Sequence, residues 1–300
     1  MRDLFDTFRP DGVLVHGDTT TTLSAALAAF YANIPVMHVE AGLRTGDIGS
    51  PWPEEANRKL VSGIACRHYA PTESARKNLL KENVYANDIL VTGNTVIDAL
   101  KLTVAKIENN NELSKQLQSK FGFINGTDRL ILVTGHRREN FGKGFIEICR
   151  ALKNIASRND VQIVYPVHMN PNVVKPVHDI LGNVENVHLI DPLEYLPFVY
   201  LMKICDFIIT DSGGIQEEAP ALGKPVLVTR DTTERPEAVK AGTVLLVGTD
   251  SEKIDIAANR LLDDRGFYDA MSVATNPYGD GNASKIILKD LKNVRNTCTD

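Results

Sequence analysis

The chain has 300 residues, 43% of them hydrophobic and 24% charged, which suits a soluble globular protein of one or two domains. A net charge of −5 with no basic tract argues against a nucleic-acid partner, and no apolar run reaches the about 18 residues of a membrane span. No signal peptide opens the chain, and Cys66, Cys149, Cys205 and Cys298 are scattered without metal-type spacing, so they read as reduced thiols of a cytoplasmic protein.

The chain starts on a short helix, RDLFDTF, and enters a strand, GVLVHG, at once. TTLSAALAAFYAN reads as a helix and PVMHVEA as a strand. A polar loop, LRTGDIGSPWPEE, leads to the helix EANRKLVSGIA, and RHYAP and DILVTG are two more short strands. The pattern pauses at GNTVID, read as a loop, and a polar connector helix, KLTVAKIENNNELSKQLQSKFG, follows. A second series then runs through the strand RLILVTG, the helix GFIEICRALKNIA and the strands VQIVYPV, NVHLI, DFIITD, PVLVT and GTVLLV. Alternating β and α elements build parallel sheets, so the expectation is α/β: two doubly wound Rossmann-like halves with a ligand cleft at the carboxyl ends of their strands. The expected boundaries are 1–96 with a C-terminal helix over 285–300 for the first domain, and 97–284 for the second. The first half holds about four strands where a doubly wound domain has more, so about two β-α units, roughly 60–80 residues, are expected to be missing from its front.

Three carboxylates stand out in the first half. Asp18 (HGDTT) and Glu40 (HVEAG) each follow an apolar strand, and Glu54 (PWPEE) opens a helix. Asp18 is also a plausible N-cap of the Thr-rich helix, and Glu54 an ordinary first-turn acid. Glu40, flanked by His38, Val39 and Ala41, is harder to dismiss, since a partly buried carboxylate at a strand end is seldom idle. Together Asp18 and Glu40 suggest acid/base work.

In the second half His136, Arg137 and Arg138 of GHRRENFGKG sit in a strand-to-helix turn and read as an anion site. The most specific stretch is DSGGIQEEAPALGKPVLVTR: backbone N–H groups at Ser212-Gly213-Gly214 can hold a diphosphate, and Glu218 can accept from two ribose hydroxyls. Arg235 of TTERPE strengthens that reading.

The ordered set VHGDTTTT, HVEAGLRTGD, PWPEEANR, GNTVID, TGHRREN, PVHMNP, DSGGIQEEAP, LGKPVLV, RDTTERPEA, AGTVLLVG and NPYGDGNAS resembles the non-hydrolysing UDP-N-acetylglucosamine 2-epimerases. The resemblance spans nearly the whole chain, Asp11 to Ser284. It implies the two-Rossmann-domain (GT-B-type) fold of many nucleotide-sugar glycosyltransferases, and interconversion of UDP-N-acetylglucosamine and UDP-N-acetylmannosamine without metal or nicotinamide cofactor, by a homodimer. It implies that Asp18, Glu40, Glu54 and His136 are catalytic, and that Arg137, Phe198, Ser212, Gly213, Gly214, Glu218 and Arg235 bind the substrate's uridine diphosphate. It further implies that Glu54, Arg137 and His168 contact a second, activating UDP-N-acetylglucosamine, and that the helix after Ser284 returns to the first domain. Family members carry a first strand and a GTRPE-type loop that this sequence does not have, consistent with an N-terminally truncated first domain. Two rival readings use the same nucleotide site: a glycosyltransferase of the same fold, which needs an acceptor, and an inactive UDP-sugar-binding fragment.

Overall fold

A computed structural model describes residues 2–294; residues 295–300, which hold Cys298 and the end of the expected final helix, lie outside the described residues. The chain forms two compact units, 1–98 with 277–300, and 99–276, so residues 277–284 go with the first unit rather than the second.

The first unit opens on α1 (Arg2–Thr7) and β1 (Val13–His16) and continues through α2 (Thr20–Tyr31), β2 (Val36–Val39), α3 (Glu54–Ser62), β3 (Arg67–Ala70), α4 (Glu73–Lys81) and β4 (Ile89–Val91). The four strands are parallel and lie in the order β1-β2-β3-β4. Alternation along β2 divides its side chains between two cores. Val36 packs with Val15 and with Ala26, Ala29 and Val61 of α2 and α3, whereas Met37 and Val39 pack with Tyr69 and Ile287. Ile287 belongs to α14 (Ala283–Val294), which is tied to β3 by the Arg67–Asp290 ion pair at 2.7 Å and by Tyr69 Oη donating to Asp290 at 3.0 Å. Helices therefore cover both faces of this sheet, and its strand tips are left to loops.

α5 (Thr95–Glu108) and α6 (Asn111–Lys120) occupy the expected connector. The GNTVID stretch is no loop beyond Asn94. Asn94 Oδ1 accepts from Val96 N at 3.3 Å, so the helix begins six residues before the polar run at Lys101. The asparagine run splits the connector, because Asn110 caps a new helix by accepting from Leu113 N at 3.0 Å.

The second unit continues with β5 (Arg129–Thr134), α7 (Lys143–Ile155), β6 (Val161–Pro166), α8 (Pro171–Leu181), β7 (Val187–Ile190), α9 (Tyr195–Ile204), β8 (Phe207–Thr210), α10 (Ile215–Ala221), β9 (Val226–Val228), α11 (Pro236–Ala241), β10 (Val244–Leu246), α12 (Ser251–Asp263) and α13 (Arg265–Ser272). Its six parallel strands run β10-β9-β8-β5-β6-β7. The order reverses between β5 and β8, and this is the switch point at which open α/β sheets bind ligands. The core beneath it is built from Ile131, Val133, Phe145, Ile163, Phe207 and Leu227, all nearly inaccessible.

Two buried histidines face each other in register across β2 and β3, His38 opposite His68. Burial holds both down to about 4, against an ordinary 6.5. Their folded forms stay neutral between those values while the unfolded chain takes up protons. Stability is therefore expected to fall as pH drops from 6.5 towards 4, and to level off below that for these two groups. Urea midpoints at pH 7 and pH 5 check this: the pH 5 midpoint is expected to be lower, and His68→Gln to narrow the gap. An unchanged gap in the variant would contradict it.

Candidate active site

In the first unit β1 ends at His16, and Gly17, with φ +70°, turns the chain so that Asp18 leaves the strand tip. Asp18 is not the helix cap. Thr19 takes that place, accepting from Thr22 N at 3.2 Å, while Thr22 Oγ1 donates to His16 O at 2.5 Å. The threonine run thus closes the turn, and the carboxylate of Asp18 is left for another use.

That carboxylate is held from α3. Arg58 donates to Asp18 Oδ2 from Nε at 2.9 Å, and its Nη2 lies 2.9 Å from the same oxygen. Asn57 Nδ2 donates to Asp18 O at 2.8 Å. Arg58 is in turn fixed by Glu55 at 2.8 Å, a fully buried carboxylate that also accepts from the backbone N–H groups of Thr45 and Gly46 at 3.2 and 3.1 Å. Asp18 Oδ1 keeps no hydrogen-bond partner among the described residues. Glu54 lies three and four residues before Asn57 and Arg58, hence on the helix face that holds Asp18. Its Oε2 is buried and likewise has no partner among the described residues. Buried polar atoms are normally satisfied, so an unfilled carboxylate oxygen is a place for a ligand proton.

Glu40 ends β2 in the left-handed region, φ +64°, which a non-glycine residue adopts only when its surroundings demand it. Those surroundings are Asn94, whose Nδ2 donates to Glu40 Oε1 at 3.1 Å, and His16, whose Nε2 lies 3.4 Å from Oε2. Behind it His38 Nε2 is 2.8 Å from Gly17 O, which fixes the turn carrying Asp18. Asp18, Glu40 and Glu54 therefore lie around the ends of β1 and β2.

In the second unit the loops after β5 and β8 meet at the switch point. Asp211, wholly buried, accepts on Oδ2 from the backbone N–H groups of His136 at 2.9 Å and Arg137 at 2.8 Å. His136 stacks on the exposed His168, ring centroids 5.5 Å apart. The Ser212-Gly213-Gly214 turn follows. Ser212 N donates to Thr210 Oγ1 at 2.9 Å, while the N–H groups of Gly213 and Gly214 have no acceptor among the described residues and open α10. A Cβ on Gly213 would run into the guanidinium of Arg235 and into Glu234, so a side chain here would have to displace that buried ion pair. Arg235 itself is buried, tied to Glu217 and, at 2.5 Å, to Glu234. Glu234 also pairs with Arg230 at 2.9 Å and stands 4.0 Å from Arg137.

Glu218 is on the first turn of α10, buried, and receives the Tyr195 hydroxyl at 2.5 Å. Burial raises its carboxyl above the ordinary 4.5, and the Tyr195 hydrogen bond opposes that rise. Phe198 lies one turn after Tyr195 on α9. Sequence reasoning missed Glu55, Arg58, Asn94, Tyr195, Asp211, Glu217 and Glu234, the residues that hold the others in place. The Glu55–Arg58 spacing of three within PWPEEANR was the one available signal among them. Among the described residues no group of three or more His, Cys, Asp or Glu is placed to hold a metal ion, and no helix is long and apolar enough to cross a membrane.

A protein-family model described as UDP-N-acetylglucosamine 2-epimerase matches residues 1–292. The chain belongs to the UDP-N-acetylglucosamine 2-epimerase family. It is 61% identical to the UDP-N-acetylglucosamine 2-epimerase of Escherichia coli K12, over 98% of this chain and 79% of that protein. It superposes on the crystal structure of the Neisseria meningitidis UDP-GlcNAc 2-epimerase bound to UDP-GlcNAc with a TM-score of 0.94 and 53% identity, over 97% of this chain and 79% of that one. The 2-epimerase of Methanocaldococcus jannaschii, in complex with UDP-GlcNAc and UDP, gives a TM-score of 0.84 at 36% identity, over 97% of this chain and 78% of that one. The two parallel sheets described above are thus the two Rossmann-like sheets of a 2-epimerase.

Proposed function

We propose that the chain interconverts UDP-N-acetylglucosamine and UDP-N-acetylmannosamine by inverting C2, as a non-hydrolysing epimerase. The observation that carries this reading is the open carboxylate set: Asp18 Oδ1 and Glu54 Oε2 have no partner among the described residues, in a chain similar to an epimerase crystallised with UDP-GlcNAc. A glycosyltransferase shares the nucleotide-binding turn but has no need of several carboxylates with open oxygens.

The C2 hydrogen is not next to a carbonyl, so it is not acidic by itself. Elimination removes the difficulty. The C1–O bond breaks and UDP leaves with its electron pair, while a carboxylate takes the C2 proton, giving 2-acetamidoglucal with a C1=C2 double bond. UDP then adds back at C1, and a proton is delivered to C2 from the opposite face. Asp18, Glu40 and Glu54 are the acid/base groups in this scheme. His136, Arg235 and the N–H groups of the Ser212–Gly214 turn stabilise the departing diphosphate, with Arg137 beside them. Glu218 takes the ribose and Phe198 the uracil. Arg137, His168 and Glu54 are assigned to a second, activating UDP-N-acetylglucosamine. A homodimer in the cytoplasm, feeding N-acetylmannosamine-type sugars into cell-surface polysaccharide, is what the family resemblance adds.

Incubation of the purified chain with either nucleotide sugar, followed by chromatography, tests the reaction. The same mixture is expected from both starting sugars, with no free hexosamine. An unchanged nucleotide sugar from both sides, or release of free N-acetylmannosamine and UDP, would overturn it.

A further inference from the structure

We propose that Asp211 is a positioning residue that keeps a proton on His136 Nδ1, so that the second proton, which charges the ring, sits on Nε2 and is donated to the diphosphate of the nucleotide sugar. The proposal rests on the reading of His136 as the diphosphate's partner and assigns the group that makes it one.

Asp211 has no solvent exposure, yet no Arg or Lys side chain pairs with it among the described residues. Its Oδ2 is saturated. It accepts from His136 N at 2.9 Å, from Arg137 N at 2.8 Å and, at 3.4 Å, from Asn140 Nδ2, which also donates to Thr229 O at 3.1 Å. These bonds lock the backbone of the loop that carries His136. The second oxygen is different: Oδ1 is buried with no hydrogen-bond partner among the described residues, and it faces His136 Nδ1 at 3.6 Å. A buried carboxylate oxygen without a donor is costly. A proton on Nδ1, with a small rotation of the ring, removes that cost. Unliganded sites often show such bonds long, tightening when substrate arrives.

The imidazole is fixed on one edge and open on the other, since its side chain is 46% exposed and Nε2 has no partner among the described residues. The charged and titratable groups facing it pull in opposite directions. Burial lowers His136 below the ordinary 6.5, Asp211 raises it, and Arg137 and the stacked His168 lower it. Asp211 is thus the group that sustains a proton on His136 in a neighbourhood otherwise hostile to it. One carboxylate sets the loop through Oδ2 and the tautomer through Oδ1, as the acid does in Ser-His-Asp triads.

In Asp211→Asn the amide oxygen keeps the backbone N–H groups and the NH2 group turns to Nδ1. That nitrogen must then accept, so the neutral ring carries its proton on Nε2. Nitrogen-15 NMR of the imidazoles in the full 300-residue chain, with the His136 signals assigned by their loss in His136→Gln, reads this directly. The parent chain is expected to show neutral His136 protonated on Nδ1. Asp211→Asn is expected to invert the tautomer and move the titration midpoint down by about one pH unit. An Nε2–H tautomer in the parent chain overturns the proposal without any variant having to fold, and so does an unaltered tautomer in a folded Asp211→Asn. Added UDP is expected to shift the Nε2 signal. If UDP leaves Nε2 in place, the diphosphate reading of His136 falls, and with it the purpose proposed for Asp211, whichever nitrogen carries the proton.

Discussion

Asp18→Asn is expected to slow C2 exchange by about 10²- to 10⁴-fold, the usual range for losing one acid/base group, while UDP affinity stays within about threefold. The expectation follows from how the residue is held. The Arg58 guanidinium grips Oδ2 from two nitrogens, and Glu55 and the backbone of Thr45 and Gly46 hold Arg58 and Glu55 in turn. The side chain is 28% exposed and its other oxygen is open. Asn fills the same volume and keeps an oxygen for Arg58, so the turn survives and only proton transfer is lost. UDP binding in calorimetry separates the two effects. A variant that binds UDP normally and exchanges C2 at the parental rate would remove Asp18 from the chemistry. A variant that loses both would recast it as a strut.

The second large effect concerns stability. Glu234→Gln is expected to cost about 3 kcal/mol at pH 7, near the lower end for breaking a buried ion pair by removing one partner. Glu234 and Arg230 are each only 3% exposed in their side chains, and Glu234 also bonds Arg235. The cost stays at the lower end because Arg230 keeps Glu139 and Arg235 keeps Glu217. Burial alone would raise the Glu234 carboxyl, but Arg235 and Arg230 outweigh it and hold it at about 2 against an ordinary 4.5. The sign of the pH dependence follows. A carboxyl depressed in the folded state contributes stability that is complete above 4.5 and is lost as pH falls towards 2. Urea titrations of parent and variant are therefore expected to differ most at neutral pH and to converge through that window. A difference that stays constant down to pH 2 would show that the loss comes from packing and not from charge. Because Gly213 is packed against Arg235 and Glu234, the variant should also weaken UDP binding.

The strands were legible from the sequence because each is a short apolar run bounded by turn residues, and all ten fall where GVLV, PVMHV, RHYA, DILV and the six later runs placed them. The parallel class was legible from the alternation. Where the reading failed, a local bond had overridden composition. GNTVID looked like a pause because of its Gly and Asn, but Asn94 turns its side chain onto Val96 N and starts a helix there. The alternative place for Asp18, the N-cap of the Thr-rich helix, goes to Thr19, which is as well suited and stands one residue nearer the helix. The placing of Asp18, Glu40, His136 and the Ser212–Gly214 turn after strand ends was legible because each directly follows an apolar run. Their supports were not legible. Asp211 and His136 are 75 residues apart, and Arg58 and Asp18 are 40 apart. Nothing in a single sequence says which buried charge meets which until each sheet brings its own strand ends together.

This chain is expected to break and remake the C2–H bond of a UDP-sugar. Proton NMR of the purified chain with UDP-N-acetylglucosamine in deuterium oxide tests it most directly. UDP-N-acetylmannosamine signals are expected to grow while the C2 proton signal is lost from both sugars, because every turnover exchanges that proton with solvent. Interconversion with the C2 proton retained would contradict the proton-transfer scheme, and an unchanged spectrum would mean that this chain does not epimerise the sugar.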